Sequence, residues 1–315
     1  VAVMSLIVPV GGGKGGTGKT FICGNLGIEL ARRGKRTLLI DLDLGAANLH
    51  TMIGLPLPAK NLSDFINRRI DTIDEAAVKT SLPNLFMISG ARNDLNIANL
   101  LYTHKVKILN AVSRLDYDYI LLDLGAGTAY NAIDFFMIST AGIMVAVPEP
   151  TSIENIYRMT RSLCFRIVRH IAGGKEFQQL LKDVKNRDPD GKRDYLETVL
   201  AVMKKRNGQW GDRFQRITGN FRLQLVMNQM REHDDQGLGT HISGIINKHL
   251  GVGIHFLGNI AFNNRVHDSI CNRAAFVDKY PYTQTTTDIR RLSEEVLAAH
   301  ARKHSIGTGE KKRAG

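Results

Sequence analysis

Cysteine, tryptophan and long apolar runs are all scarce in this chain. Its 315 residues include 3 Cys and 1 Trp. Cys23, Cys164 and Cys271 are scattered without C-x-x-C spacing. That argues against a disulfide framework or a thiolate metal site and suits a reducing cytoplasm. Each cysteine reads as a small apolar packing residue. No stretch approaches the roughly eighteen apolar residues of a spanning helix. The opening apolar run, Val3 to Val8, is too short for a secretory signal and leads straight into a glycine-rich loop, so it reads as a buried strand. The chain opens on Val1 directly ahead of that strand, which reads as a trimmed N-terminus. Acidic residues are also in deficit, 30 against 42 Lys and Arg, for a net charge of +12. The excess is local. Arg158 to Arg222 holds 16 basic and 7 acidic residues, and Arg290 to Gly315 holds 7 and 3. Such concentration fits either an acidic partner, such as nucleic acid or an anionic lipid surface, or a solvated helical face. Aromatics that could stack on bases are sparse there, which disfavours sequence-specific readout.

Apolar strands alternate with helical patterns. Strands are expected at Val3–Val10, Arg36–Asp41, Leu85–Ser89, Tyr119–Leu124, Gly142–Pro148, Leu223–Asn228 and His255–Ala261. Helices are expected at Thr20–Arg33, around Asn61–Thr80, at His104–Leu115 and at Gln284–Lys303. The strands are continuously apolar rather than alternating, so both sheet faces are buried. The expectation is an α/β fold with a doubly wound, mostly parallel sheet in three α/β/α layers. From 153 to 221 the alternation stops and a basic helical insertion is expected. The reading is a single domain over 1–304, followed by a disordered polar tail from 305 to 315.

Gly11 to Thr20 reads GGGKGGTGKT and contains the phosphate-cradling pattern G-x-x-x-x-G-K-[ST] from Gly13 to Thr20. With a strand before and a helix after, this is the signature of a P-loop NTPase. The backbone at Gly13, Gly15, Gly16, Thr17 and Gly18 is expected to form the anion nest. Lys19 is expected on the β- and γ-phosphates and Thr20 on Mg²⁺. Lys14 is a second lysine at the loop's first bend. There it would point away from its own phosphates and reach those of a facing subunit, neutralising charge on the transferred phosphoryl group.

The second strand ends in Asp41-Leu42-Asp43, at the sheet edge where ligands bind. Alternation would put both carboxylates on one side. One would help hold Mg²⁺ through water, and the other would orient the attacking water. Tyr119 to Asp123 is a Walker-B pattern, with Asp123 in the outer sphere of Mg²⁺. Gly125 and Gly127 follow, and a glycine there can give a free N–H to the γ-phosphate. Asn228 ends the strand LQLVMN with an amide suited to the edge of adenine. Gly258 to Asn263 could form a loop over the base.

KGGTGKT from Lys14, DLDLGAANL from Asp41, YDYILLDLGAGT from Tyr117, VPEPTSIEN from Val147 and VMNQ from Val226 together resemble the MinD/ParA family, which carries a deviant Walker A motif. The nearest branch is similar to MinD and FlhG-type ATPases, which place division sites and flagella. The resemblance implies ATP and Mg²⁺ as cofactors, an ATP-sandwich homodimer and an activating protein partner. It implies Lys14 crossing to the partner's phosphates, Asp43 positioning the hydrolytic water with Asp41 beside it, Asp123 as the Walker-B acid, Asn228 facing adenine and Glu149 contacting the partner's nucleotide. The function implied is an ATPase acting as a dimerisation switch that positions a cellular structure. The expected location is cytoplasmic, with the membrane or nucleoid surface as peripheral sites reached through the basic insertion. The alternatives are an ATP-dependent synthetase like cobyrinic acid diamide synthase, and a metallochaperone or electron-transfer ATPase. The chain departs from the family in its long insertion, in Ala261 and Asn263 where a proline and an aspartate are usual, and in a tail without the bulky apolar residues of a membrane-targeting helix.

Overall fold

The structure, a computed structural model, describes residues 5–43, 47–90, 102–125, 129–139, 141–187 and 195–311. Strand β1 (Leu6–Gly11) runs into the glycine-rich loop and then helix α1 (Lys19–Arg32). β2 (Thr37–Asp41) follows, then the short helices α2 (Leu49–Met52) and α3 (Leu62–Ile66). β3 (Val78–Lys79), β4 (Leu85–Ile88), α4 (Tyr102–Val112), β5 (Tyr119–Asp123), α5 (Ala129–Ile138) and β6 (Ala141–Ala146) continue the chain. Four successive helices come next: α6 (Pro150–Ala172), α7 (Gly174–Arg187), α8 (Tyr195–Arg206) and α9 (Gly208–Asn220). The chain closes with β7 (Arg222–Met230), α10 (Leu238–Leu250), β8 (Ile254–Ala261), α11 (Arg265–Cys271), α12 (Phe276–Lys279) and α13 (Gln284–Lys311).

The strands form one sheet in the order β3-β4-β2-β5-β1-β6-β7-β8. All pairs are parallel except β3 with β4. Period-two alternation explains why the strands read as unbroken apolar runs. In β5, Ile120 and Leu122 enter one core, while Tyr119 and Leu121 enter the other. The first core lies beneath α3 to α10, and the second beneath α1 and the C-terminal helices. The sheet is thus covered on both faces, in three layers.

The insertion is helical, and it all lies within one crossover, because β6 and β7 pair directly. α6 is the helix that covers the sheet: Ile156, Met159, Leu163 and Ile167 are buried in the core beneath it. α7, α8 and α9 add Leu180, Val199, Val202 and Phe214 to the same core. The structure differs from the sequence reading at several places. The helix expected around Asn61–Thr80 is only α3, a 3₁₀ turn at Ile73–Ala76 and the antiparallel edge strand β3. Asn61 and Asp64 form a capping box that starts α3, and Arg68 (φ 59°) takes the left-handed conformation just after it. α5 and α10 are additional helices that the sequence reading did not place. The closing helix extends to Lys311 rather than Lys303. β2 stops at Asp41, so strand alternation does not place Asp43.

Candidate nucleotide-binding site

Three adjacent strands deliver the site. β2, β5 and β1 end side by side, with Asp41 opposite Asp123 and Val10 opposite Asp123 in register. The glycine-rich loop leaves the end of β1, the strand beside β5, and turns into α1. Gly16 (φ 79°) and Gly18 (φ 85°) hold the left-handed conformations that bend the loop. A Cβ on Gly18 would lie 2.2 Å from Asn228 Nδ2, and one on Gly13 would lie 2.4 Å from Asn155 Cβ. The glycines therefore let the loop seat against β7 and α6 as well as curve.

The loop's own side chains converge on the site. Lys19 is buried, and its Nζ donates to the Lys14 carbonyl at 3.0 Å. Burial pulls its pKa down, against the opposing pull of Asp123 and Asp43. Thr17 Oγ1 donates to the same carbonyl at 3.4 Å. Thr20 lies near enough to the Asp123 carboxylate to oppose the rise of its pKa.

Asp123 is 1 % exposed, and its Oδ1 is buried without a hydrogen-bond partner among the described residues. Burial is the main cause that raises its pKa, with Thr20 and Lys19 opposing. Asp41 is also raised, by burial first and then by the charge of Asp123. Its two oxygens accept the backbone N–H groups of Asp43 and Leu49, each at 3.0 Å. Asp41 therefore tethers the turn after β2 and the start of α2. Asp43 reaches instead toward Gly125, where a Cβ would lie 2.3 Å from Asp43 Cγ. An unpaired buried oxygen on Asp123, next to the Thr20 hydroxyl, is a donor set of hard oxygens suited to Mg²⁺. The residues present fit a magnesium-bound nucleotide.

Lys14 does not extend away from the subunit. Its Nζ lies 2.5 Å from Glu149 Oε2 and 3.4 Å from Thr151 Oγ1, at the start of α6. Glu149 is partly exposed at the entrance to that helix. Gly15 follows Lys14 in the loop, and Gly127 falls outside the described residues.

Asn228 is buried and donates from Nδ2 to the Thr17 carbonyl at 2.9 Å. Gln229 donates from Nε2 to the Gly16 carbonyl at 3.0 Å. Consecutive strand residues normally face opposite ways. Here Gln229 has φ 59°, and the β7–β8 register shifts between Met227 and Met230, so both amides reach the loop. Beside them is a cavity of about 290 Å³ whose lining includes Gly18, Asn228, Gln229, Phe262, His267 and Thr285. Arg231 stacks on Phe262 with its guanidinium 4.2 Å from the ring centroid. Asn263, at the cavity's edge, accepts the Arg265 backbone N–H. Sequence reasoning missed Gln229, Asn155 and His267. Gln229 and Asn155 stood in the quoted VMNQ and VPEPTSIEN motifs without being singled out, whereas no local signal marked His267.

Comparison with known proteins agrees with this geometry. Residues 8–276 match the CobQ/CobB/MinD/ParA nucleotide binding domain. The antiactivator FleN of Pseudomonas aeruginosa is 29% identical over 158 residues, which cover 50% of this chain and 56% of FleN. The septum site-determining protein MinD of Synechocystis is 33% identical over 157 residues, covering 50% of this chain and 58% of that protein. The chain thus spans a little over half the length of these two relatives. Among solved structures, the cell division ATPase MinD of Pyrococcus furiosus superposes with a TM-score of 0.62 at 19% identity, covering 94% of this chain and 100% of that one. MinD of Pyrococcus horikoshii complexed with Mg-ADP gives 0.61 at 19% identity, covering 93% and 96%. At such identities the superpositions establish the fold, and the domain match over residues 8–276 establishes kinship: the chain belongs to the CobQ/CobB/MinD/ParA nucleotide-binding family.

Proposed function

We propose that this protein is a magnesium-dependent ATPase whose ATP-bound form dimerises and so positions a cellular structure. The observation that carries the reading is the buried, unpartnered Asp123 oxygen beside Thr20, beneath a loop built to cradle phosphates. Thr20 would hold Mg²⁺ directly, and Asp123 would hold it through water. The ion supplies charge neutralisation on the phosphate oxygens. The backbone from Gly13 to Gly18 and the Lys19 ammonium bind the triphosphate. Asp43, placed against Gly125, orients the attacking water, where positioning contributes more than proton abstraction. The cavity beside Asn228 and Gln229 takes the base.

Lys14 supplies the link to assembly. It is charged, partly exposed and unnecessary for gripping its own phosphates, and exchanging Glu149 for a partner's nucleotide would couple ATP binding to dimer formation. Positioning is what the name of the MinD relative describes, septum site determination, while FleN is named an antiactivator. A complex of MinC with MinD from Aquifex aeolicus superposes at a TM-score of 0.59, and an activating or effector protein is the corresponding partner here. No helix among the described residues is long and apolar enough to cross a membrane. Exposed Lys204, Lys205, Arg213 and Arg216 give the insertion a basic surface that would meet DNA or anionic lipid with affinity falling steeply in salt.

The synthetase and metallochaperone alternatives have less support. Among the described residues no cluster of three His, Cys, Asp or Glu could hold a metal ion, and Cys23 and Cys164 are buried. The decisive experiment is ATP hydrolysis with and without Mg²⁺, paired with gel filtration of Asp43→Ala. Slow hydrolysis abolished by chelation, and an ATP-trapped dimer in the variant, are expected. A chain that hydrolyses ATP yet stays monomeric with Asp43→Ala would eliminate the switch.

A further inference from the structure

The second notable hollow in the molecule belongs to the inserted helices. A cavity of about 320 Å³ opens between α5, α6, α7 and α8. Its walls are apolar: Phe165, Phe177, Leu181 and Tyr195 all line it. Phe165 and Tyr195 pack as a tilted ring pair with centroids 5.8 Å apart, and Tyr195 remains 42% exposed. Two of the eight lining residues are cationic, Arg166 and Arg169 at the α6 side. None of the described residues lining the cavity is acidic.

The charges there are unbalanced. Asp134 of α5 already faces two cations, Arg166 at 2.6 Å and Lys105 at 3.3 Å. The acids of the neighbouring α7 are engaged elsewhere, since Glu176 and Asp183 pair with Arg206 at 3.0 and 3.2 Å. Arg169 is exposed and has no ion pair among the described residues. A guanidinium without a counter-ion, at the mouth of an aromatic cavity, complements a ligand with one anionic end and one apolar end. The volume lies at the low end of those that take small molecules, which suits a single compact ligand rather than a docked helix.

We propose that this cavity binds a small apolar acid. Its carboxylate, sulfonate or phosphate head rests on Arg169, and its aryl or medium-length acyl body lies among Phe165, Phe177, Leu181 and Tyr195. The site is separate from the nucleotide site and does not depend on the ATPase reading.

The test uses the full chain without nucleotide and the fluorescent probe 1-anilinonaphthalene-8-sulfonate, an apolar aryl anion. We expect one saturable site per chain, displaced by octanoate and unaffected by Mg-ATP. Arg169→Ala should weaken the probe about tenfold, the loss of one charge-assisted contact, and Arg169→Lys should recover part of that. Arg169 is on the surface, so the fold survives the change, and unchanged circular dichroism verifies it. Equal affinity in Arg169→Ala would overturn the proposal. So would displacement by Mg-ATP, which would put the probe in the base cavity. Displacement by phosphatidylglycerol vesicles but not by octanoate would also overturn it, in favour of a membrane surface.

Discussion

Lys14 Nζ and Glu149 Oε2 lie 2.5 Å apart across 135 residues of one chain. The resemblance assigned both residues to a partner's nucleotide, and in the monomer they bind each other. The lysine that would cross to a second subunit is therefore held against its own α6. Both side chains are partly exposed, so solvent screens the pair and its contribution is about 0–1 kcal/mol. A contact that weak orders the side chain yet releases it readily when a triphosphate offers more charge.

Replacing Lys14 by alanine should therefore leave the fold almost unchanged, with a melting shift of at most about 4 °C. ATP-driven dimerisation should be lost. Glu149→Gln should instead free the lysine and lower the ATP concentration at half-dimerisation by at most about fivefold. Sedimentation velocity across an ATP series reads both. Dimers of Lys14→Ala at wild-type ATP concentrations would end this account.

Asp123 sets a pH dependence opposite in sign to that of most carboxylates. Its folded pKa is raised to about 6, mainly by burial, above the ordinary value of roughly 3.9. The folded state therefore holds more protons than the unfolded state in that interval, so stability falls as pH rises through it. The chain without nucleotide should be least stable, on this account, above pH 6. Asp123→Asn removes the buried charge and should stabilise it there by roughly 1–3 kcal/mol while flattening the pH slope. The same variant should lose the stabilisation that Mg-ATP gives the wild type. Urea denaturation at pH 5 and pH 8 checks the sign, and a variant less stable than wild type at pH 8 would contradict it.

Much of this site was legible because parallel buried strands are continuous apolar runs, and each run here ends where chemistry begins. The run through Leu38, Leu39 and Ile40 stops at Asp41, and the run from Ile120 to Leu122 stops at Asp123. Register then places those two carboxylates side by side. The phosphate loop was legible because its glycine spacing is a backbone requirement. What escaped depends on contacts far apart in sequence. β3 is two residues long and is defined only by its antiparallel partner. Asn155 matters because it backs Gly13, and Gln229 because an irregular register turns it inward. The Lys14–Glu149 pair required knowing where α6 begins relative to the loop.

Gln229 carries two effects that substitution can separate. Its φ of 59° strains any residue with a Cβ, while its amide holds the Gly16 carbonyl at 3.0 Å. Gln229→Ala should lose the hydrogen bond and keep the strain, costing about 1 kcal/mol. Gln229→Gly should lose the same bond but relieve the strain, and so be more stable than Gln229→Ala by up to about 1 kcal/mol. Both should weaken nucleotide binding to a similar degree, because each releases the loop. Chemical denaturation and nucleotide titration of the two variants separate the effects, and equal stability of Ala and Gly would show that the backbone there is unstrained.

Gly125 controls Asp43 by leaving room for it. A Cβ at position 125 would lie 2.3 Å from Asp43 Cγ and 2.5 Å from Oδ2, closer than non-bonded atoms approach. The φ of Gly125 is not in the left-handed region, so alanine suits the local backbone, and the whole Asp43 side chain, whose Cβ would lie 2.6 Å from the added atom, must move. Gly125→Ala should therefore leave ATP affinity within about threefold of wild type, since the loop and Lys19 are untouched. Hydrolysis should fall by about a hundredfold, the scale on which small misplacements of a positioning group act. If Asp43 orients the water, Gly125→Ala combined with Asp43→Ala should be no slower than Asp43→Ala alone, because the first change acts only through the second residue. Single-turnover hydrolysis of the three variants decides it: rates that multiply would mean that Gly125 serves catalysis by a route independent of Asp43.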